Sequence, residues 1–140
     1  MYKIVVDSRE QKPLWKKNLI VKKLDVGDYS IEGYENKIAI ERKSLSDLFG
    51  TLGGGHKRFK KELERAESYE YFAIVIEGNY RSIRDKKFEG SFYCKMKGYV
   101  IIKILFTLHM KYKINFFMVN DRNEAKSVIK SLFNTYITLQ

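Results

Sequence analysis

The stretch Ile38–Asp47 constrains the fold of this chain more than any other. It opens with an apolar run rich in β-branched residues, which predicts a strand that enters a core. Three charged residues, Glu41, Arg42 and Lys43, follow with no turn residue between them. If the strand continues to Lys43, its period of two places Glu41 and Lys43 on one face and Arg42 on the other, with the isoleucines. A carboxylate beside an ammonium group on one face can hold a divalent metal ion and polarise a water or phosphate oxygen.

Two further predicted strands carry acids toward the same end of a sheet. Residues 2–6 predict a central strand that ends at Asp7, and residues 26–31 predict a strand entered through a glycine and bearing Asp28. A hairpin turn at residues 33–36 then leads into the stretch that contains Glu41. Asp28 and Glu41 are therefore candidate ligands for Mg²⁺ or Mn²⁺, with Asp7 near the same end of the sheet and Lys43 as the residue that orients water or stabilises charge on phosphorus. Short polar patterns of this kind also recur in surface strands by chance.

The rest of the chain alternates helices and strands. Ser44, followed three residues later by Asp47, predicts a helix start, and three consecutive glycines at 53–55 predict its end. The remaining predicted elements are helix 56–68, strand 71–77, a polar loop 79–90, helix 91–112, strand 114–119 and a final helix from Asp121 to about Tyr136. This order predicts a single α/β domain in which helices flank a mixed sheet.

The net charge of the chain indicates which class of partner it binds. Twenty-seven Lys and Arg against seventeen Asp and Glu give a formal charge of +10, which favours a polyanion, nucleic acid first, although a basic surface alone is compatible with plain solubility. Cys94 is the one cysteine, so no internal disulfide forms. The sequence shows neither a signal peptide nor an apolar run uninterrupted enough to span a membrane, and we expect a soluble, cytoplasmic protein.

The motifs together resemble a known family. Asp7-Ser8-Arg9-Glu10, Gly27-Asp28-Tyr29, Glu41-Arg42-Lys43-Ser44-Leu45-Ser46-Asp47 and Glu77 occur in the order seen in the XPF family of structure-specific endonucleases. The resemblance covers residues 1–140 as one nuclease domain. It implies a restriction-endonuclease-like, three-layer α/β sandwich and a Mg²⁺- or Mn²⁺-dependent nuclease that cuts branched or flapped DNA. No helix-hairpin-helix module follows, so the chain resembles the compact prokaryotic or viral members.

The resemblance also implies roles for individual residues. Asp28 and Glu41 are similar to the metal carboxylates, and Lys43 to the catalytic lysine. Asp7 resembles a residue at the edge of the site that binds the metal or positions a ligand. Arg9 and Arg42 resemble the arginines of the family's site, and a guanidinium group suits contact with phosphate.

Several assignments keep an alternative. Asp47 closes the family signature, yet a helix start calls for the same amino acid. Lys57, Arg58 and Lys61 lie on a basic helix that either contacts DNA or is simply a solvated face, and Arg58 approximates a family arginine. Glu77 has the alternative of facing a nearby basic side chain.

The family's quaternary structure and substrates leave further alternatives. The aromatic-rich C-terminal third predicts a homodimer through the C-terminal helices, with core packing as the alternative. The alternative functions are a noncatalytic DNA-binding subunit and a Holliday-junction resolvase of the same superfamily.

Overall fold

The computed structural model of the protein describes residues 1–54 and 56–140. The strands are β1 (Ile4–Asp7), β2 (Leu19–Lys22), β3 (Tyr29–Ile31), β4 (Ile38–Ser44), β5 (Tyr71–Glu77) and β6 (Asn115–Val119). The helices are α1 (Leu45–Gly53), α2 (His56–Ala66), α3 (Tyr80–Arg84), α4 (Gly98–Tyr112) and α5 (Arg122–Thr138), and a 3-10 turn spans Ser91–Tyr93. Among these residues, none of the helices combines the length and hydropathy that crossing a bilayer requires.

The sheet has the strand order β2-β1-β3-β4-β5-β6. β3 is antiparallel to both of its neighbours, whereas the other adjacent pairs are parallel, so the mixed sheet predicted from sequence is confirmed. Because β1, β4 and β5 point the same way and β3 the opposite way, one edge of the sheet collects the last residues of three strands and the residue before the fourth. Those residues include Asp7, Asp28 and Glu77, and Glu41 lies three residues before the end of β4.

Helices cover both faces of the sheet, which gives the three-layer sandwich expected from sequence. On one face, α1, α2 and α4 pack Phe49, Leu63 and Leu105 against the apolar side chains of β4 and β5. On the other face, Ile129 and Phe133 of α5 belong to a cluster with apolar side chains of β1, β3, β4, β5 and β6. The central strands are apolar on both faces because both are covered, and β4 leaves the core only after Glu41.

Two predictions on the C-terminal half are wrong. The helix expected over 91–112 begins at Gly98, and residues 91–97 form a 3-10 turn and a loop. A Cβ on Gly98 would lie 2.1 Å from the backbone oxygen of Ile83, so the start of α4 crosses the end of α3 too closely for a side chain. The loop expected over 79–90 contains α3, which Asn79 and Ser82 start with a reciprocal capping box.

The first helix starts and ends as predicted. The Ser44 side chain accepts a hydrogen bond from the Asp47 amide at 3.1 Å, which makes Ser44 the N-cap of α1. The helix ends at Gly53 with Gly54 as its C-cap. Gly55, the last of the three consecutive glycines, lies outside the described residues.

Candidate active site

Asp28, Glu41 and Lys43 come together where β3 begins and β4 leaves the core. Gly27 sets this approach, because its φ is +75° and a Cβ there would lie 3.0 Å from the Ile40 backbone oxygen. The Asp28 amide donates to that Ile40 oxygen at 2.9 Å, and the Arg42 amide donates to the Asp28 carboxylate at 2.8 Å. These two bonds fix the Asp28 side chain against the exit of β4.

The surroundings of the Asp28 carboxyl disfavour its charged form. Burial raises its pKa well above the usual range, and the Glu41 carboxylate raises it further, although the amide bond from Arg42 opposes both effects. Glu41 is itself buried, with 7% of its surface exposed. Two carboxylates therefore share one weakly solvated place, where a bound cation would relieve their repulsion.

Lys43 lies against the same carboxylates. Its Nζ is 2.7 Å from Glu41 Oε2 and sits 5.5 Å from the ring centre of Phe59 on α2. Burial acts to lower the pKa of Lys43, but the charges of Glu41 and Asp28 outweigh it, and the pKa is raised. The residue is therefore an ammonium ion at neutral pH, suited to donating hydrogen bonds and not to accepting a proton.

A third carboxylate, Glu62 on α2, belongs to this cluster and was missed by the sequence analysis. Its Oε2 accepts a hydrogen bond from the Gly27 amide at 3.3 Å. Burial and the nearby Glu41 raise the pKa of Glu62 to about 7. A sequence signal existed, because Glu62 lies three residues after Phe59 and thus on the stripe of α2 that faces the protein.

Asp7 lies at the edge of the cluster. Its amide donates to the Asp28 backbone oxygen at 2.8 Å, so the backbone segments at Asp7 and Asp28 are adjacent. Its carboxylate, however, accepts from Arg9 Nε at 2.9 Å and from the Leu24 amide at 2.8 Å. In the described part of the chain, no three His, Cys, Asp or Glu side chains stand close enough to hold a metal ion together. Asp7, Asp28 and Glu41 are therefore not brought together as one three-carboxylate ligand set.

Arg42 occupies the opposite face of β4 from Lys43, as the strand period predicts. Its guanidinium group lies 2.9 Å from Glu77 on β5 and 3.8 Å from Glu10. All three side chains are mostly buried, with at most 17% of each exposed. Tyr29 also donates to Glu10, at 3.3 Å. The alternative proposed for Glu77, a nearby basic partner, is what the structure shows, and Arg42 is engaged by two acids.

The predicted DNA-contact residues other than Arg42 share one groove with the site. The groove has a volume of about 1090 Å³ and lies between α1 and α2. Its basic lining residues are Arg9, Lys43, Lys57, Arg58, Lys60, Lys61 and Arg65. Asp47 and Glu62 also line it. The Asp47 side chain is exposed in the first turn of α1, a position where the helix dipole favours an acid.

The donor set fits a small hard cation. Mg²⁺ is usually held by one or two carboxylates, together with water and substrate phosphate, and not by a full cage of protein ligands. Asp28 and Glu41 provide two such carboxylates, with Glu62 beside them. A divalent cation would relieve the mutual repulsion of these carboxylates, which contributes to the raised pKa values of Asp28 and Glu62.

Comparisons with known proteins agree with the fold. The ERCC4 domain family model matches residues 6–132. The structure is similar to that of XPF from Aeropyrum pernix, with a TM-score of 0.73 and 25% identity over 96% of this chain and 65% of that chain. XPF from Aeropyrum pernix in complex with DNA gives a TM-score of 0.72 and 24% identity over 100% and 67% of the two chains. The chain thus spans about two thirds of the length of these structures. Among curated proteins, no sequence matches it.

Proposed function

This chain belongs to the ERCC4 domain family, a family of structure-specific DNA nucleases, and on that premise we propose that it is a Mg²⁺- or Mn²⁺-dependent endonuclease. Its substrate is branched or flapped DNA, and residues 1–140 act as a single nuclease domain inside the cell. The observation that carries the proposal is that Lys43, which lines the basic groove, lies beside the buried carboxylates Asp28 and Glu41. Carboxylates that can hold a cation therefore lie beside basic side chains that can contact the phosphates of DNA.

Each residue has a role that follows from its surroundings. Asp28 and Glu41 hold the divalent cation, which supplies Lewis acidity to the phosphate and lowers the pKa of water. Lys43, held as a cation by Glu41, donates hydrogen bonds to a phosphate oxygen and stabilises the charge that develops there. Arg9, Lys57, Arg58 and Lys61 line the groove and contact the DNA backbone.

Three further residues act from the margin of the site. Asp7 orients Arg9, which it holds through two hydrogen bonds. Asp47 stands in the groove at the start of α1 and positions a ligand there, in addition to favouring the helix. Arg42, engaged by Glu10 and Glu77, fixes the exit of β4 and thereby the position of its neighbours.

Replacement of Asp28 tests the assignment. The purified protein is incubated with Mn²⁺ or Mg²⁺ and end-labelled flap, fork, four-way and plain duplex DNA. Asp28→Asn and Glu41→Gln abolish cleavage and leave DNA binding intact, because they remove cation ligands and not groove cations. Asp25→Asn, at an exposed aspartate in the same loop, is the matched control and cuts like the wild type. Full activity of Asp28→Asn would refute the site.

The same panel separates the alternative functions. A noncatalytic DNA-binding subunit would bind the branched substrates and cut none of them with either metal. The retention of Asp28, Glu41 and Lys43 in one cluster speaks against that alternative, since DNA binding alone has no chemical need for them. A Holliday-junction resolvase would cut four-way DNA in preference to flap and fork.

We also propose that the protein forms a homodimer through α3 and α4. A groove of about 450 Å³ between these helices is lined by apolar and aromatic side chains, among them Tyr80, Tyr99, Phe106 and Met110. Met110 is 77% exposed and Tyr99 63%, which is unusual for contiguous large apolar side chains. A second copy of the chain presents the same helices, so the patch can pair with itself about a two-fold axis.

A further inference from the structure

A second exposed aromatic pair lies on the loop between α3 and α4. Phe92 is 92% exposed and Tyr93 85%, and their rings stand perpendicular with centroids 5.6 Å apart. The same loop partly buries its earlier and later apolar residues: the Phe88 ring lies against that of Phe49 of α1, with centroids 4.8 Å apart, and Met96 packs against Gly53. Both ends of the loop are therefore anchored on the protein, while the two aromatic rings between them remain accessible to a partner.

The loop is held in one shape by its own hydrogen bonds. The amides of Ser91, Tyr93 and Cys94 donate to backbone oxygens three residues earlier, at 3.0 to 3.1 Å. Lys86 Nζ donates to the Cys94 oxygen from across the loop. The rings are therefore presented on a formed turn, and little conformational entropy remains to be lost when they bind.

Its position places the pair beside the basic groove. A Cβ on Gly90 would lie 3.6 Å from Ser46 Oγ, and Ser46 lines the groove together with Lys43. Ser46 follows Lys43 by three residues, and Phe92 follows Gly90 by two. These chain lengths keep Phe92 within about 20 Å of Lys43, which corresponds to roughly six nucleotides of a DNA strand.

The surrounding charge selects the partner. Lys86, Lys87, Lys95 and Lys97 lie on the loop, against a single acid, Glu89, after Asp85 is paired with Arg84. Exposed aromatic rings among lysines are the features that bind single-stranded nucleic acid, because every base has a face that can stack and every phosphate a charge. The apolar groove proposed for the dimer is lined by other residues of α3 and α4.

We propose that Phe92 and Tyr93 form a stacking platform for an unpaired base of the DNA substrate, close to the junction that is cut. The proposal rests on the nuclease function and specifies it: the preferred substrate carries single-stranded DNA within about six nucleotides of the scissile phosphate. Plain duplex DNA, whose bases are already stacked, gains nothing from the platform.

Binding without cleavage tests the platform. A flap DNA is prepared with 2-aminopurine at each of the first six unpaired positions in turn, and its fluorescence is titrated with protein in EDTA. Wild-type protein alters the fluorescence at one or two positions. In Phe92→Ala/Tyr93→Ala, that change is lost and flap affinity falls roughly 5- to 150-fold. Affinity for plain duplex stays within about twofold of the wild type, the scatter expected of such measurements.

An exchange variant controls for loop damage. Phe92→Tyr/Tyr93→Phe keeps both aromatic faces and binds flap DNA as the wild type does. Equal loss of flap and duplex affinity in the alanine variant, no loss at all, or conversion of a wild-type dimer to a monomer would each overturn the platform. Cleavage is assayed separately with Mg²⁺ or Mn²⁺, because EDTA prevents metal-dependent cutting. A wild type that shows the binding difference in EDTA but cuts no DNA with either metal would refute the nuclease and leave the platform standing.

Discussion

Replacing Glu62 by glutamine should stabilise the protein at alkaline pH and not at acid pH. Glu62 is partly buried on α2 beside Glu41, and its pKa is raised from 4.5 to about 7. In the unfolded chain the residue loses its proton near pH 4.5, whereas the folded protein retains it to about pH 7. Between these values the unfolded state binds fewer protons, so stability falls as pH rises.

The size of the effect follows from the shift. Each pKa unit corresponds to 1.36 kcal/mol, so ionised Glu62 lowers the free energy of unfolding by about 3 kcal/mol above pH 7. Glutamine has nearly the same shape, carries no charge and can still accept the hydrogen bond from the Gly27 amide. For a domain of this size, the gain at pH 8 corresponds to about 10 °C in Tm.

Urea unfolding between pH 4 and 8.5, in EDTA so that no divalent cation is bound, measures this difference. Glu62→Gln and the wild type have equal stability near pH 4, and the variant becomes the more stable protein as pH rises to 8. Glu64→Gln removes the same charge from an exposed position on α2 and is the control for net charge. A gain of equal size at pH 4 and pH 8, or none at pH 8, would refute the placement of Glu62 in the acid cluster.

Two further predictions concern Arg42 and the dimer. Arg42→Gln leaves Glu10 and Glu77 as mostly buried carboxylates without a cationic partner. It therefore lowers the free energy of unfolding by about 3 kcal/mol, measured by urea unfolding. Unchanged stability with weaker flap binding would instead make Arg42 a phosphate contact. Phe106→Glu converts the proposed homodimer to a monomer in sedimentation equilibrium, because it places a charge in the apolar groove, whereas Lys111→Glu, outside that groove on α4, leaves the proposed homodimer intact.

The parts of the site that lie on strands were predictable from sequence. Strand period and chain order suffice to bring Asp7, Asp28 and Glu41 to one edge of the sheet, because a strand has two faces and a defined end. The faces of Lys43 and Arg42 on β4 follow from the same period. Residues within three positions of a strand end were therefore located without any knowledge of packing.

The missed features depend on contacts between elements that are distant in sequence. Glu62 reaches Gly27 across 35 residues, and nothing local fixes how α2 docks on the sheet. A basic partner for Glu77 was one of the two expectations, but that this partner is Arg42 depends on the parallel register of β4 and β5, in which Ser44 lies opposite Glu77. The late start of α4 at Gly98 reflects the crossing of α3, whereas the apolar residues before it imitate a helical pattern.

The charges of the site link cation binding to DNA binding. The groove between α1 and α2 attracts a phosphate backbone, but Lys43, which lines it, is a single ammonium group beside three carboxylates, Asp28, Glu41 and Glu62. A phosphate that approaches Lys43 therefore meets net negative charge when these carboxylates are ionised, and a divalent cation on Asp28 and Glu41 would cancel that charge. Each ligand lowers the electrostatic cost of binding the other, and because such coupling is reciprocal, DNA must raise the affinity for the cation by the same factor.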